Sequence, residues 1–420
     1  MEQTARQSNA AIAPDVALDI SGLTGGLDLR TRGTLLDLDR QLCRLWNLGR
    51  NLLLAWCPHD DGLLVLVVPH YAIAEYTARA AASRGDASPH TQGFLERLLT
   101  GTRRFSMRQL VNTARLLEVE PVSISPRHPI SGTREESDLL DRMIRRFGVS
   151  YIPNRAVALF DIVGFGLLRP FEQMTQLNSL AYSLNSAHSK MLASQWRVNF
   201  ARSSAGDGFY IWNRDSGMDA NTSLYHFMHL VLADNAIARR KAHARTVPLL
   251  RACFHIGGCY EFHHAEGLSP TLCTQIVGDV TIELARMIER AMPGQILLGA
   301  FEADLPRSSD STAAIQHVTA VDFVDQAQGH LARLSGLELS GDSIESIKCY
   351  LTGCAQADGT FTVRKLAIND KHGITHNVFN AKVNIYRRAA EPILLGIEDR
   401  HLRGDELPIL TVGHITRPGE

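Results

Sequence analysis

The segment that most limits what this chain can become is residues 156–166, AVALFDIVGFG. Five apolar residues run into Asp161, and two more lead into Gly164-Phe165-Gly166. Consecutive apolar positions of this length predict a strand buried on both faces, which must be covered above and below. A carboxylate at the exit of such a strand needs a strong partner.

The text that follows supplies the cover. Pro170 stands at a helix start, and Phe171, Met174, Leu177, Leu180, Leu184, Ala187 and Met191 recur at spacings of three or four. Residues 196–203, WRVNFARS, and 208–213, GFYIWN, predict two strands joined by a turn containing Gly206-Asp207-Gly208. A helix through Leu224, Phe227, Leu230, Val231 and Ala238 then leads to the strand LLRACFHIG at 249–257. A last helix over 280–291 precedes Pro293-Gly294 and the short strand QILLG. The order β-α-β-β-α-β with a further α-β predicts an α+β, ferredoxin-like palm over residues 151–300.

In such a palm the first and third strands are neighbours, so Asp161 and Asp207 converge on one edge. Two adjacent carboxylates repel and raise each other's pKa unless cations bridge them. Mg²⁺, held by one or two carboxylates plus phosphates, answers that need.

The remainder of the chain is less regular. Residues 1–30 are rich in Gly, Ala and polar residues and are expected to be loose; they contain no apolar core of signal-peptide length. Residues 31–120 are expected to form a helical module, with Leu35, Leu38, Leu42, Leu45 and Trp46 at helical spacing and an apolar run at 63–68 ending at Pro69. Turn signals at Gly85, Pro89 and Gly101 divide the helical text of 75–119. This segment resembles a repressor-type helix-turn-helix, with Ser88-Pro89 opening one helix and ARLLEV at 114–119 closing the unit. Seven arginines (79, 84, 97, 103, 104, 108, 115) face four acids there, a modest footprint for DNA. A packing or dimerisation module with a solvated basic face is the preferred reading, and DNA the less favoured partner. Residues 121–150 read as a linker and a helix. Residues 301–420 read as a C-terminal, β-rich α/β module with a Ser-rich loop at 308–312 and a strand-rich stretch at 361–386 turning at Asp370-Lys371-His372-Gly373.

Composition adds exclusions. A length of 420 residues predicts more than one domain, and a net charge of −1 gives no global pull toward nucleic acid or membrane. Seven cysteines without a C-x-x-C pair argue against a disulfide framework or a zinc ribbon and fit a reducing cytoplasm. The longest apolar run is too short to span a bilayer, so no membrane partner is expected. His255, Glu261, His263, His264 and Glu266 lack a recognised zinc spacing, and His255 is read as a packed strand histidine.

Over about 150 residues the chain resembles the class III nucleotidyl cyclases, the catalytic domain of adenylate and guanylate cyclases. The family's F-x-D-I-x-G-F is met by Phe160-Asp161-Ile162-Val163-Gly164-Phe165 with one preceding position shifted, and its G-D hairpin by Gly206-Asp207-Gly208-Phe209. Its R-x-G-I-H-x-G strand is approximated from Arg251 to Gly257, its W-G-x-x-V-N-x-A-x-R-M helix from Val277 to Met287, and P-G-E-I-L from Pro293 to Leu297.

The resemblance implies a reaction. A ribose 3′-oxygen attacks the α-phosphate of a nucleoside triphosphate, giving a 3′,5′-cyclic nucleotide and pyrophosphate. Asp161, Asp207 and the Ile162 carbonyl would hold two Mg²⁺ or Mn²⁺ ions. Gly164, Phe165 and Gly206 would lie against the phosphates, and Arg286 would neutralise transition-state charge. Arg290, one turn on, shares its helix face. In the family the aspartates and the arginine come from different subunits, which implies a homodimer with shared sites. The departures bear on substrate and turnover. Ser203 and Gln275 stand at the base-reading positions and match neither purine code, as in the pyrimidine cyclases of bacterial antiphage signalling. Ile282 stands where the catalytic asparagine maps and cannot hydrogen-bond. The stretch with DKHG, Asn380 and Lys382 resembles the nucleotide-sensing domain that follows some bacterial cyclases; the alternative is a β-rich cap. A catalytically impaired nucleotide sensor and a DNA-binding regulator dimerised by the palm are the alternative functions.

Overall fold

Helix α1, Leu29–Trp46, begins where the Asp28 carboxylate accepts from the amides of Arg30 and Thr31, and it buries Leu35, Leu38, Leu42 and Trp46 along one face. The computed structural model describes residues 28–60, 62–84, 89–128, 133–196, 198–266, 269–307, 314–355, 361–402 and 409–415. The expected loose N-terminus up to residue 27 and the Ser-rich loop lie outside them. The chain divides into two compact units, one of residues 1–152 with 260–276, the other of 153–259 with 277–420.

In the first unit α1 is followed by β1, Asn51–His59, and β2, Gly62–Pro69, an antiparallel hairpin. Helices α2, Ala72–Arg84, α3, Pro89–Thr100, and α4, Met107–Leu116, come next, then β3, Val122–Ile124, which pairs with β2, and α5, Arg134–Arg146. Residues 31–120 are therefore not an all-helical module: they carry a hairpin between two helical layers. Leu53, Trp56, Leu63 and Val65 pack with α1 and α5, whereas Leu54, Ala55, Cys57, Leu66 and Val68 pack with Leu98, Leu99, Leu110 and Ala114. Burial on both faces explains an apolar run without alternation.

The basic face expected for DNA loses a member to this interior. Arg103 is fully buried, donating to the carbonyls of Leu54, Leu98, Leu99 and Val149 and to Ser150 Oγ at 2.7–3.3 Å. Burial, with Arg145 nearby, pulls its pKa down to about 10, against Asp141. Arg104 lies over the Trp56 ring and donates to Ser137.

The second unit begins within β4, Val149–Ile162, at residue 153, and the last eight residues of that strand are all buried. After it come α6, Pro170–Ala193, β5, Phe200–Ser204, β6, Gly208–Asn213, α7, Met218–Lys241, β7, Leu250–Glu266, β8, Ser269–Val277, α8, Asp279–Arg290, and β9, Ile296–Gly299. Strand β8, which pairs with β7 and, with residues 260–266 of β7, belongs to the first unit, was not expected. The order β7-β4-β6-β5 puts the fourth strand beside the first, then the third and second, as in a split βαβ sheet.

The chain continues through β10, Glu302–Pro306, β11, Ile315–Thr319, α9, Ala320–His330, β12, Glu338–Leu339, and β13, Asp342–Leu351. It ends with β14, Gly353–Ala355, β15, Phe361–Asn369, β16, Thr375–Arg387, β17, Ile393–Leu395, and β18, Ile409–Ile415. Strand β16 pairs antiparallel with β9, so β12 to β18 extend one mixed sheet of thirteen among the described residues, while β10 and β11 pair with each other in a separate sheet. The core is equally continuous: α7, buried along most of its length, packs among Leu184 of α6, Phe254 of β7 and Phe323 of α9.

Candidate active site

Asp161 is the next-to-last residue of β4, and its strand partner in β6 is Gly208. A Cβ at position 208 would collide with the Phe160 carbonyl, so the two backbones can lie this close only at a glycine. Gly206, at φ +85°, takes the left-handed conformation that closes the hairpin, and Ala205 donates to the Gly208 carbonyl at 2.9 Å. The Ile162 amide donates to the Asp207 carbonyl at 3.2 Å. These contacts set Asp207 beside the end of β4, where its charge acts on Asp161.

Burial raises the Asp161 pKa, the Arg251 guanidinium opposes the rise, and the charge and hydrogen bond of Asp207 add to it. Arg251 Nε donates to Asp161 Oδ2 at 2.6 Å, and its Nη1 donates to the Ala291 carbonyl at 3.1 Å. Sequence reasoning gave Arg251 no role. The available signal was its place at the start of β7, which the fourth-first strand order sets beside β4. The two carboxylates are hard-oxygen donors, and with the Ile162 carbonyl they are the groups that could hold a Mg²⁺-like cation taking its other ligands from phosphate and water. Among the described residues no group of three or more His, Cys, Asp or Glu side chains is gathered for a metal, so such an ion would depend on those outside ligands.

Beyond Asp161, Gly164 at φ +70° turns the chain, and Phe165 opens a short 3₁₀ turn in which Leu167 donates to the Gly164 carbonyl. Ser203 lies on β5 opposite Tyr210 of the second unit, and Gln275 lies on β8 in the first. Ile282, near the start of α8, is 53 % exposed. Arg286, one turn further, places Nε 3.3 Å from Asp370 Oδ2, and its described ion pairs are with Asp370 and Glu289, not with Asp161 or Asp207. A cavity of about 590 Å³ beyond the C-terminal end of α8 is lined by Arg290, Met292, Gln295, Leu366 and Ile368, and neither aspartate lines it. Among the described residues no helix is long and apolar enough to cross a membrane.

No family profile matches the chain, and no curated protein matches its sequence. Solved structures similar to it include the guanylate cyclase domain of RhGC from Catenaria anguillulae in complex with GTP, at 11% identity over 57% of this chain and 99% of that one, with a TM-score of 0.32. The adenylyl cyclase CyaB from P. aeruginosa is 13% identical over 40% of this chain and 95% of its own, with a TM-score of 0.29. For the guanylyl cyclase Cya2 the values are 11%, 55%, 92% and 0.31. Likeness at this level carries no inference about the chemistry of this chain.

Proposed function

We propose that the second unit is a nucleotidyl cyclase palm that converts a nucleoside triphosphate into a 3′,5′-cyclic nucleotide and pyrophosphate. The observation that carries the reading is the convergence of Asp161 and Asp207 at the β4–β6 edge, where a tight glycine register brings two carboxylates together at the end of a buried strand. Mg²⁺ or Mn²⁺ bound there would lower the pKa of the ribose 3′-hydroxyl and brace the leaving pyrophosphate. Asp161 and Asp207 hold the charge that such ions require. Arg251 balances it until they arrive. Gly164, Phe165 and Gly206 form the two turns flanking the pair and leave room for a triphosphate, and Arg286 offers a cation to it. Within this unit Ser203 is the candidate for reading the base.

A homodimer belongs to this reading. Leu167, Phe171 and Met174 are 92 %, 74 % and 54 % exposed, an apolar set beside the Asp161 loop of the kind a second copy would cover. Ile282 favours one alternative: an exposed isoleucine where the family's asparagine maps suits a triphosphate sensor that does not turn over. A DNA-binding regulator is the weaker alternative, since Arg103 is interior.

The test is incubation of purified protein with each of the four ribonucleoside triphosphates and Mg²⁺ or Mn²⁺, with products resolved by mass. One cyclic product that disappears in Asp207→Ala supports the cyclase. Triphosphate binding without product supports the sensor.

A further inference from the structure

Arg286 sits in a polar cluster that joins α8 to the turn between β15 and β16. Its Nε lies 3.3 Å from Oδ2 of Asp370, whose side chain is only 2 % exposed. Asp370 Oδ1 accepts from the amides of His372 at 2.8 Å and Ile374 at 2.9 Å, so the turn grips the carboxylate. One helical turn before Arg286, Glu283 receives His376 Nδ1 at 2.7 Å, while His376 Nε2 lies 3.5 Å from Asp370 Oδ2. Two residues three apart on α8 are thereby tied to one hairpin, by charge at Arg286 and by an imidazole at Glu283. Burial works to raise the Asp370 pKa, but the two amides, His376 and Arg286 outweigh it and hold the carboxyl below its ordinary value.

Engagement through Nε matters for what the arginine can do. A guanidinium held at Nε by a fixed carboxylate keeps its terminal nitrogens in a fixed plane, and those are the donors that meet phosphate oxygens in pairs. Nη1 lies 4.0 Å from Glu289 Oε1, a looser contact than that of Nε, and the Arg286 side chain is 21 % exposed, so the guanidinium is held mainly at Nε and is not sealed from solvent.

We propose that Asp370 is a positioning residue for Arg286, setting the guanidinium from the β15–β16 turn so that its terminal nitrogens are presented to the phosphates of a nucleoside triphosphate. The inference rests on the cyclase reading for the identity of that ligand. It makes the part of the chain after residue 300 a working part of the site, through one buried carboxylate.

Arg286→Ala, Asp370→Asn, the double variant and Asp370→Glu test it, with Asp342→Asn as a control that removes another turn carboxylate, one accepting the amides of Ala389 and Ala390 at 3.0 and 2.7 Å. Each is assayed for kcat and KM of cyclisation, for triphosphate affinity by calorimetry with Mg²⁺, and for thermal midpoint. Asp370→Asn is expected to lower kcat about tenfold with KM within about twofold, to add nothing to Arg286→Ala, and to be partly restored in Asp370→Glu; Asp342→Asn is expected to change the midpoint alone. Losses that multiply in the double variant, or an unchanged kcat in Asp370→Asn, overturn the proposal. Should the wild-type protein bind triphosphate without turning it over, the cyclase reading fails while the proposal is still decided by affinity: Asp370→Asn must weaken binding as Arg286→Ala does, without further loss in the double variant, and equal affinities overturn it.

Discussion

Replacing Arg251 with glutamine removes the one described cation paired with Asp161 and leaves two carboxylates side by side. Nε and Oδ2 are 2.6 Å apart, with the arginine side chain 26 % exposed and the aspartate 11 %, so the pair lies between surface and interior. Exposed pairs contribute about 0–1 kcal/mol, whereas breaking a buried one costs about 3–5 kcal/mol. A loss of roughly 2 kcal/mol at pH 8 is therefore expected, or about 4–8 °C in the thermal midpoint for a unit of this size. The pH dependence separates charge from packing. The Asp161 pKa is already raised above 3.8, and a raised carboxyl costs stability as pH rises through its folded value. Losing Arg251 raises it further, so the gap between variant and wild type should be small near pH 4 and widen toward pH 8. Millimolar Mn²⁺ should narrow the gap at pH 8 by replacing the guanidinium as counter-charge. Scanning calorimetry at both pH values, with and without Mn²⁺, reads all three effects. An equal loss at pH 4 and pH 8, unmoved by Mn²⁺, would refute the reasoning and make Arg251 a packing residue.

Other outcomes follow from the same geometry. Arg103→Ala should destabilise the first unit by about 3 kcal/mol or more, because five acceptors lose their buried donor; chemical denaturation measures it, and a loss under 1 kcal/mol would argue that the cluster is wet. Burial depresses His226 to about 4 and His229 well below 6.5, and neither His229 ring nitrogen finds a partner among the described residues. The unfolded chain then takes up protons that the folded one refuses, so stability present above pH 6.5 should fall as pH drops toward 4, by roughly 3 kcal/mol for His226 alone at ~1.4 kcal/mol per pH unit. His229→Leu should flatten the decline in urea midpoint, and an unchanged decline would exclude His229 as a source. If Asp161 and Arg286 act across a homodimer, mixing inactive Asp161→Ala with inactive Arg286→Ala should restore roughly one quarter of wild-type turnover after subunit exchange; no recovery despite proven exchange would put both groups in one subunit.

What the sequence revealed and what it concealed divide along a physical line. Apart from β8, the strands and helices from residue 150 to 299 were readable, the helices from their period and β4 from an unbroken apolar run that ends in the charge of Asp161. Asp207 was marked by the two glycines that its hairpin requires. The hairpin of β1 and β2 was missed because strands buried on both faces have no alternation to separate them from helix. Counting the seven arginines of residues 75–119 could not show that Arg103 points inward, since its carbonyl acceptors come from β1, α3 and β4. Arg251 and Asp161 are 90 residues apart and meet only because the fourth strand lies beside the first. Arg286 and Asp370 meet through the pairing of β9 with β16, and DKHG read alone was merely a turn. Residues whose role is set by their own segment could be found from the text. Their counter-charges could not, because a counter-charge is chosen by strand order, and strand order is decided by which faces must be covered, not by any one segment.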